Sequence, residues 1–195
     1  MLKKSNILLL IAFIGALELV IYLWAMWTTE PEFVFDKCAR NSGRASSLIN
    51  LSILLIAGYY GFRKIWLDER KRDMFRILIT LFAVNHLVHF FYVFQNFRHH
   101  SWVFSVPENL HGFITFIFIL AVPVFLWLYQ RLNTFWFVCI TIHLINVSYF
   151  IMKTFYSKVQ PEHPAYHNQL GIVVTSLAIL YIIYGFFRSY GVRSQ

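Results

Sequence analysis

The sequence predicts an all-α integral membrane protein, a six-helix transmembrane bundle in a single domain, residues 1–195. Two observations predict it. Of its residues 58% are hydrophobic and 19% aromatic while only 13% are charged, a balance foreign to soluble globular chains. The apolar residues also gather into runs near the ~20 needed to cross a ~30 Å hydrocarbon layer. These runs are about Ile7 to Trp27, Leu48 to Trp66, Phe75 to Phe97, Leu110 to Tyr129, Phe135 to Met152 and Leu170 to Phe187. Short connections make up the rest, which leaves no space for a flavin- or nucleotide-binding domain.

The formal charge of +8 does not point to nucleic acid, because the basic residues are spread over the connections instead of forming one surface. They report topology. Alternate connections give eleven Lys and Arg on the side of both termini (Lys3, Lys4, Arg63, Lys64, Arg70, Lys71, Arg72, Arg76, Arg131, Arg188, Arg193). The opposite side has six (Lys37, Arg40, Arg44, Arg98, Lys153, Lys158). The positive-inside rule then predicts a multi-pass protein with both termini cytoplasmic, as expected in a bacterial inner membrane.

Span one opens with the basic-then-apolar look of a signal peptide, but its apolar run is long and lacks an A-x-A-like site, so it reads as a span. It carries Glu18 near mid-membrane. A buried carboxyl there reads as a protonated group bonded to a neighbouring helix or as a proton-relay residue. The segment TTEPEFVFDKCARNSGRASS is expected as the longest outer loop, with room for a short surface helix. Its Cys38 and the intramembrane Cys139 lie at different depths, which argues against a disulfide. Ser46 and Ser47 are expected to cap span two, where Asn50 and Ser52 suit interhelical hydrogen bonds. The basic stretch FRKIWLDERKRDMFR reads as a topogenic anchor at an anionic leaflet.

Span three holds His86 and His89 near its middle and leads to His99 and His100 at its outer end. Three residues correspond to ~300° of helix, so His86 and His89 share a face; fourteen correspond to ~1400° and ~21 Å, which returns His100 close to that face. Pro107 and Asn109 suit the start of span four, whose first turn carries His111 and whose interior carries Pro123. Span five, parallel to span three, places His143 at nearly the depth of His86 and His89, flanked by Thr141, Asn146 and Ser148. Its successor loop adds His163 and His167 before span six. The histidines thus form two tiers, one at mid-membrane and one at the outer surface.

Ionisable side chains in a span are costly, about 2.5 to 3.5 kcal/mol when charged at mid-helix on insertion scales, so they point to function. A b-type heme in a helical bundle takes two imidazoles facing each other from different helices across an apolar slot. His143 opposite His89 or His86 meets that requirement, with the abundant Phe residues lining the slot; His100 is the candidate ligand of an outer heme. The order of Gly43-Arg44 leading into ASSLINLSILL, a basic inner loop, FAVNHLVHF, and a later span with Trp136, His143 and Tyr149 resembles the ferric reductase-like transmembrane domain superfamily. The likeness covers roughly Gly43 to Phe187. It implies electron transfer across or within the membrane through bound heme b, with His89 and His143 as the iron ligands and His86 as the alternative. The position fourteen residues after His143 is Ser157, so direct matching implies one mid-membrane heme. With no soluble redox domain in the chain, a quinone or a separate redox partner protein would deliver electrons. No catalytic residue is singled out.

Two other readings use the same residues. One is a non-catalytic membrane subunit of a larger complex, packing aromatic faces against lipid and partner helices. The other is a histidine-based intramembrane metal site, poorly served as a zinc hydrolase because Glu18 is the sole mid-membrane acid and no HExxH is present. A transporter would need an internal repeat, and the three-span halves show none.

Overall fold

The structure is a computed structural model describing residues 4–101, 105, 107, 109–157, 159 and 166–191. Every regular element among them is helical: α1 (Lys4–Thr28), a 3-10 turn (Pro31–Phe33), α2 (Val34–Tyr60), α3 (Phe62–Leu67), α4 (Glu69–His99), α5 (Leu110–Leu128), α6 (Thr134–Tyr156) and α7 (Tyr166–Gly191). Five stretches are long and apolar enough to cross a membrane: Leu8–Thr28, Glu69–His99, Leu110–Leu128, Thr134–Tyr156 and Tyr166–Ser189. Large apolar side chains lie exposed along them, among them Leu9, Phe13, Phe94, Phe118, Leu177 and Leu180. Such surfaces belong in lipid, and the protein is a multi-pass membrane protein.

The second span departs from expectation. Its residues do not form a helix of their own from Leu48 to Trp66. They divide between the second half of α2 and the short α3, with a break at Gly61, whose φ of 73° lies in the left-handed region that glycine tolerates. The expected outer loop is likewise mostly helix, because α2 begins at Val34. Ser46 and Ser47 therefore sit inside α2 and cap nothing; Ser47 Oγ donates to the Gly43 carbonyl at 2.8 Å. The reason is amphipathicity. Arg40 and Arg44 lie exposed on one side of α2 while Cys38, Ser42 and Ser46 are buried on another, so averaged hydropathy hides a helix that its faces reveal.

The chain divides into two compact units. The first comprises Met1–Ile49 and Arg76–Val124. Its apolar core gathers Ala25, Val34, Cys38, Ala39 and Tyr92, with Ile21, Tyr22 and Val88 packed against them. Lys37 ties α2 back to the end of α1: its Nζ donates to Thr28 Oγ1 at 2.8 Å and lies 4.5 Å from the centre of the Trp24 ring. A cation at that place suits the carboxyl end of a helix.

The second unit comprises Asn50–Phe75 and Phe125–Gln195. Here α2 and α7 approach through Gly58 and Gly185. A Cβ on Gly185 would stand 2.6 Å from Gly58 Cα, and one on Gly58 would stand 2.9 Å from the Tyr181 carbonyl oxygen. The aromatic rings of Phe62, Phe75, Phe137 and Trp66 pack around α3, and Trp66 Nε1 donates to the Gln130 carbonyl at 2.9 Å. Asn50 meets its expectation by donating to Ser148 Oγ of α6 at 2.9 Å. Asn133 caps α6, its side-chain oxygen accepting from the Trp136 backbone N–H.

Candidate functional site

Helix α4 runs unbroken past the basic stretch and through the histidines because nothing from Glu69 to His99 interrupts it with Pro or Gly. Its start is capped by Asp68, whose Oδ1 accepts from the Lys71 backbone N–H at 3.2 Å and whose Oδ2 accepts from the Lys71 ammonium at 2.6 Å. That ammonium holds the Asp68 carboxyl below its usual range. Its end comes at Ser101, with φ of 54°.

On this frame the structure brings His86 and His89 together as expected, with ring centroids 5.2 Å apart and planes tilted by 47°. Both side chains are half-buried, and His86 Nδ1 is buried with no hydrogen-bond partner among the described residues. The His86 ring stacks on Phe82 at 5.4 Å and lies 6.1 Å from Phe116, which in turn stacks on Phe90 at 4.4 Å. His89 lies against the backbone of α2. A Cβ added at Gly43 would stand 3.0 Å from His89 Cε1, so the ring sits closely against the α2 backbone and would have to give by a few tenths of an ångström to admit a side chain there. Gly43 thereby acquires a packing role that its place in the Gly-Arg pair did not foretell.

The other histidines stand elsewhere. His143 lies half-buried on α6, in the second unit, between the buried Thr141 and Leu144 in sequence. His100 follows the last residue of α4; its Nδ1 is 3.0 Å from the Asn96 carbonyl oxygen, and its ring is 5.5 Å from that of His99 and 6.4 Å from that of Phe33. His111 and His167 are exposed in the first turns of α5 and α7, and His163 lies outside the described residues. Among the described residues no three His, Cys, Asp or Glu side chains converge as a set able to hold a metal ion.

A second polar centre in the first unit was only half visible in the sequence. Glu18 is 4% exposed, and its Oε1 accepts from Ser42 Oγ at 2.7 Å and from Asn85 Nδ2. Ser46 Oγ donates to Asn85 Oδ1 at 3.0 Å, and Tyr92 O–H donates to the Glu18 backbone carbonyl at 3.3 Å. Two residues of this network adjoin the histidines directly in sequence: Asn85 precedes His86, and Ser42 precedes the Gly43 against which His89 packs. Its signal was present as spacing. Cys38, Ser42, Ser46 and Asn50 recur every four residues on α2, and Asn85 and Tyr92 lie seven apart on α4, which puts each set on one helical face.

Heme imposes tests of its own on these residues. It needs a buried imidazole nitrogen not already committed and flat apolar walls, and His86 with Phe82, Phe90 and Phe116 fits both. The two imidazoles of α4, 5.2 Å apart along one helix, can supply only one side of an iron. No known protein family, curated protein or solved structure matches this chain.

Proposed function

We propose that the chain is a heme b-binding electron-transfer component of the membrane, ferric reductase-like in arrangement, built as a six-span bundle with both termini cytoplasmic. The observation that carries this reading is the imidazole pair of His86 and His89, set at mid-helix among Phe82, Phe90 and Phe116 with a buried nitrogen of His86 lacking a hydrogen-bond partner among the described residues. In it α4 supplies one axial nitrogen, from His89 with His86 as the alternative. The sequence alone nominates His143 for the other. Bound heme would contribute a one-electron iron couple. The phenylalanines would exclude water from it, and the close contact with Gly43 would fix the plane of the His89 ring. A quinone or a separate redox protein is the proposed source of electrons.

The test is the visible spectrum of the protein purified in mild detergent from heme-replete cells, as isolated and after dithionite, with a pyridine hemochrome assay. We expect a Soret band that shifts on reduction, at one heme per chain, lost in His89→Ala and in His143→Ala and retained in His163→Ala. Loss in His86→Ala in place of His89→Ala would move the ligand by one helical turn. A colourless protein would overturn the reading in favour of a non-catalytic membrane subunit.

A further inference from the structure

Among the described acidic residues, Glu18 alone stands in the middle of an apolar span; Glu30 and Asp68 occupy connections, Glu32 the 3-10 turn, and Asp36, Glu69 and Asp73 the first two turns of a helix. Its two carboxyl oxygens have opposite surroundings. Oε1 accepts from Ser42 of α2 and Asn85 of α4, and Asn85 is itself fixed by Ser46. Oε2 is buried with no hydrogen-bond partner among the described residues.

That asymmetry separates two kinds of buried carboxyl. An acid kept for structure places its O–H on a neighbouring acceptor, so that the proton is part of the packing. Here the neighbours converge as donors on one oxygen, and the oxygen left over has no acceptor within hydrogen-bond distance among the described residues. The donors on Oε1 are satisfied equally by the carbonyl of the acid and by the carboxylate. A proton can therefore arrive at Oε2 or leave it without any partner losing a hydrogen bond. We propose that Glu18 is a proton-binding site inside the membrane, with Oε1 held by Ser42 and Asn85 and an exchangeable proton carried on Oε2.

The surroundings favour a proton over a larger ligand. A metal cation needs several oxygens around it, yet Asn85 Oδ1 is turned toward Ser46 and Ser42 Oγ toward Glu18 Oε1. Among the described residues the titratable groups that feel the carboxyl are Cys38 from α2 and Tyr92 from α4, and Tyr22 of its own helix acts on Tyr92 in turn. None of the three supplies a positive charge, and an unpaired carboxylate in an apolar span is costly. Binding a proton removes that cost.

The proposal does not depend on heme. It is tested by infrared spectroscopy of the full-length protein in lipid nanodiscs at neutral pH, comparing wild type with Glu18→Gln, which keeps an acceptor for Ser42 and Asn85. We expect a carbonyl band of an un-ionised carboxylic acid in the wild type, absent from Glu18→Gln, that moves to lower frequency as the protein is transferred to D2O. Ser42→Ala should move the same band to higher frequency, because the carbonyl loses a donor. Identical spectra in the acid-carbonyl region would overturn the proposal, as would a band that never shifts in D2O, the mark of a proton locked into the packing. If Glu18→Gln does not fold, Ser42→Ala decides: an acid band indifferent to that change does not belong to Glu18.

Discussion

Helix α2 takes part in both units and joins its neighbours by a different device in each. In the first unit it presents Ser42 and Ser46, which reach Glu18 of α1 and Asn85 of α4. In the second it presents Gly58, against which Gly185 of α7 brings its backbone. Lipid removes most of the hydrophobic drive between helices, so both contacts rely on what remains: hydrogen bonds that hydrocarbon cannot replace, and dispersion between closely fitted surfaces. They fail differently. A hydrogen-bonded contact loses one or two bonds when a partner is removed, whereas a glycine contact loses its whole fit when a side chain is added.

That difference ranks the outcomes of substitution. Gly185→Val should have the largest effect, about 3 kcal/mol of destabilisation from overpacking, because the obstacle is the rigid backbone of Gly58 and not a side chain that can swing away. Thermal unfolding in detergent, followed by size-exclusion chromatography, would read it; a variant as stable as wild type would show that the helices can part there freely. Asn85→Ala should cost less, about 1 to 2 kcal/mol, by removing a donor to Glu18 and the acceptor of Ser46. A neutral result in the same assay would mean that the polar network contributes nothing to holding α1, α2 and α4 together.

The smallest effect belongs to the exposed start of α4. Lys71 lowers Asp68 from its usual range, so the ionised form is favoured in the folded protein. This contribution is complete above the unfolded carboxylate range and disappears as pH falls through the lowered Asp68 value. Asp68→Asn, which keeps the cap, should therefore differ slightly from wild type at neutral pH and converge with it in acid. Unfolding midpoints measured across that range would check the sign, and a difference that grew toward acid would refute it.

Much of the fold could be read along the chain, and the exceptions share one cause. The spans around Phe75, Leu110, Phe135 and Leu170 were legible because each is a long, nearly uniform apolar run, for which hydropathy needs no knowledge of faces. The stretch from Val34 to Ser47 was misread as loop because Asp36, Lys37, Arg40 and Arg44 lower its average while its Cys38, Ser42 and Ser46 face inward. The closeness of His86 and His89 followed from three-residue spacing alone. Gly43 as the seat of His89, and Asn85 as the partner of Glu18, did not.

The sequence by itself determined a helical, lipid-embedded chain with histidines and one carboxyl at depths where such groups are costly, because composition and period act residue by residue along a helix. Tertiary structure alone decided which of those groups meet. Whether Glu18 receives its donors on one oxygen or two, and which ring rests on Gly43, depends on the rotation and closeness of three helices whose bonded residues stand 24 and 67 positions apart. Polar side chains between helices bond only over about 3 Å, so a small turn of any one helix would select other partners.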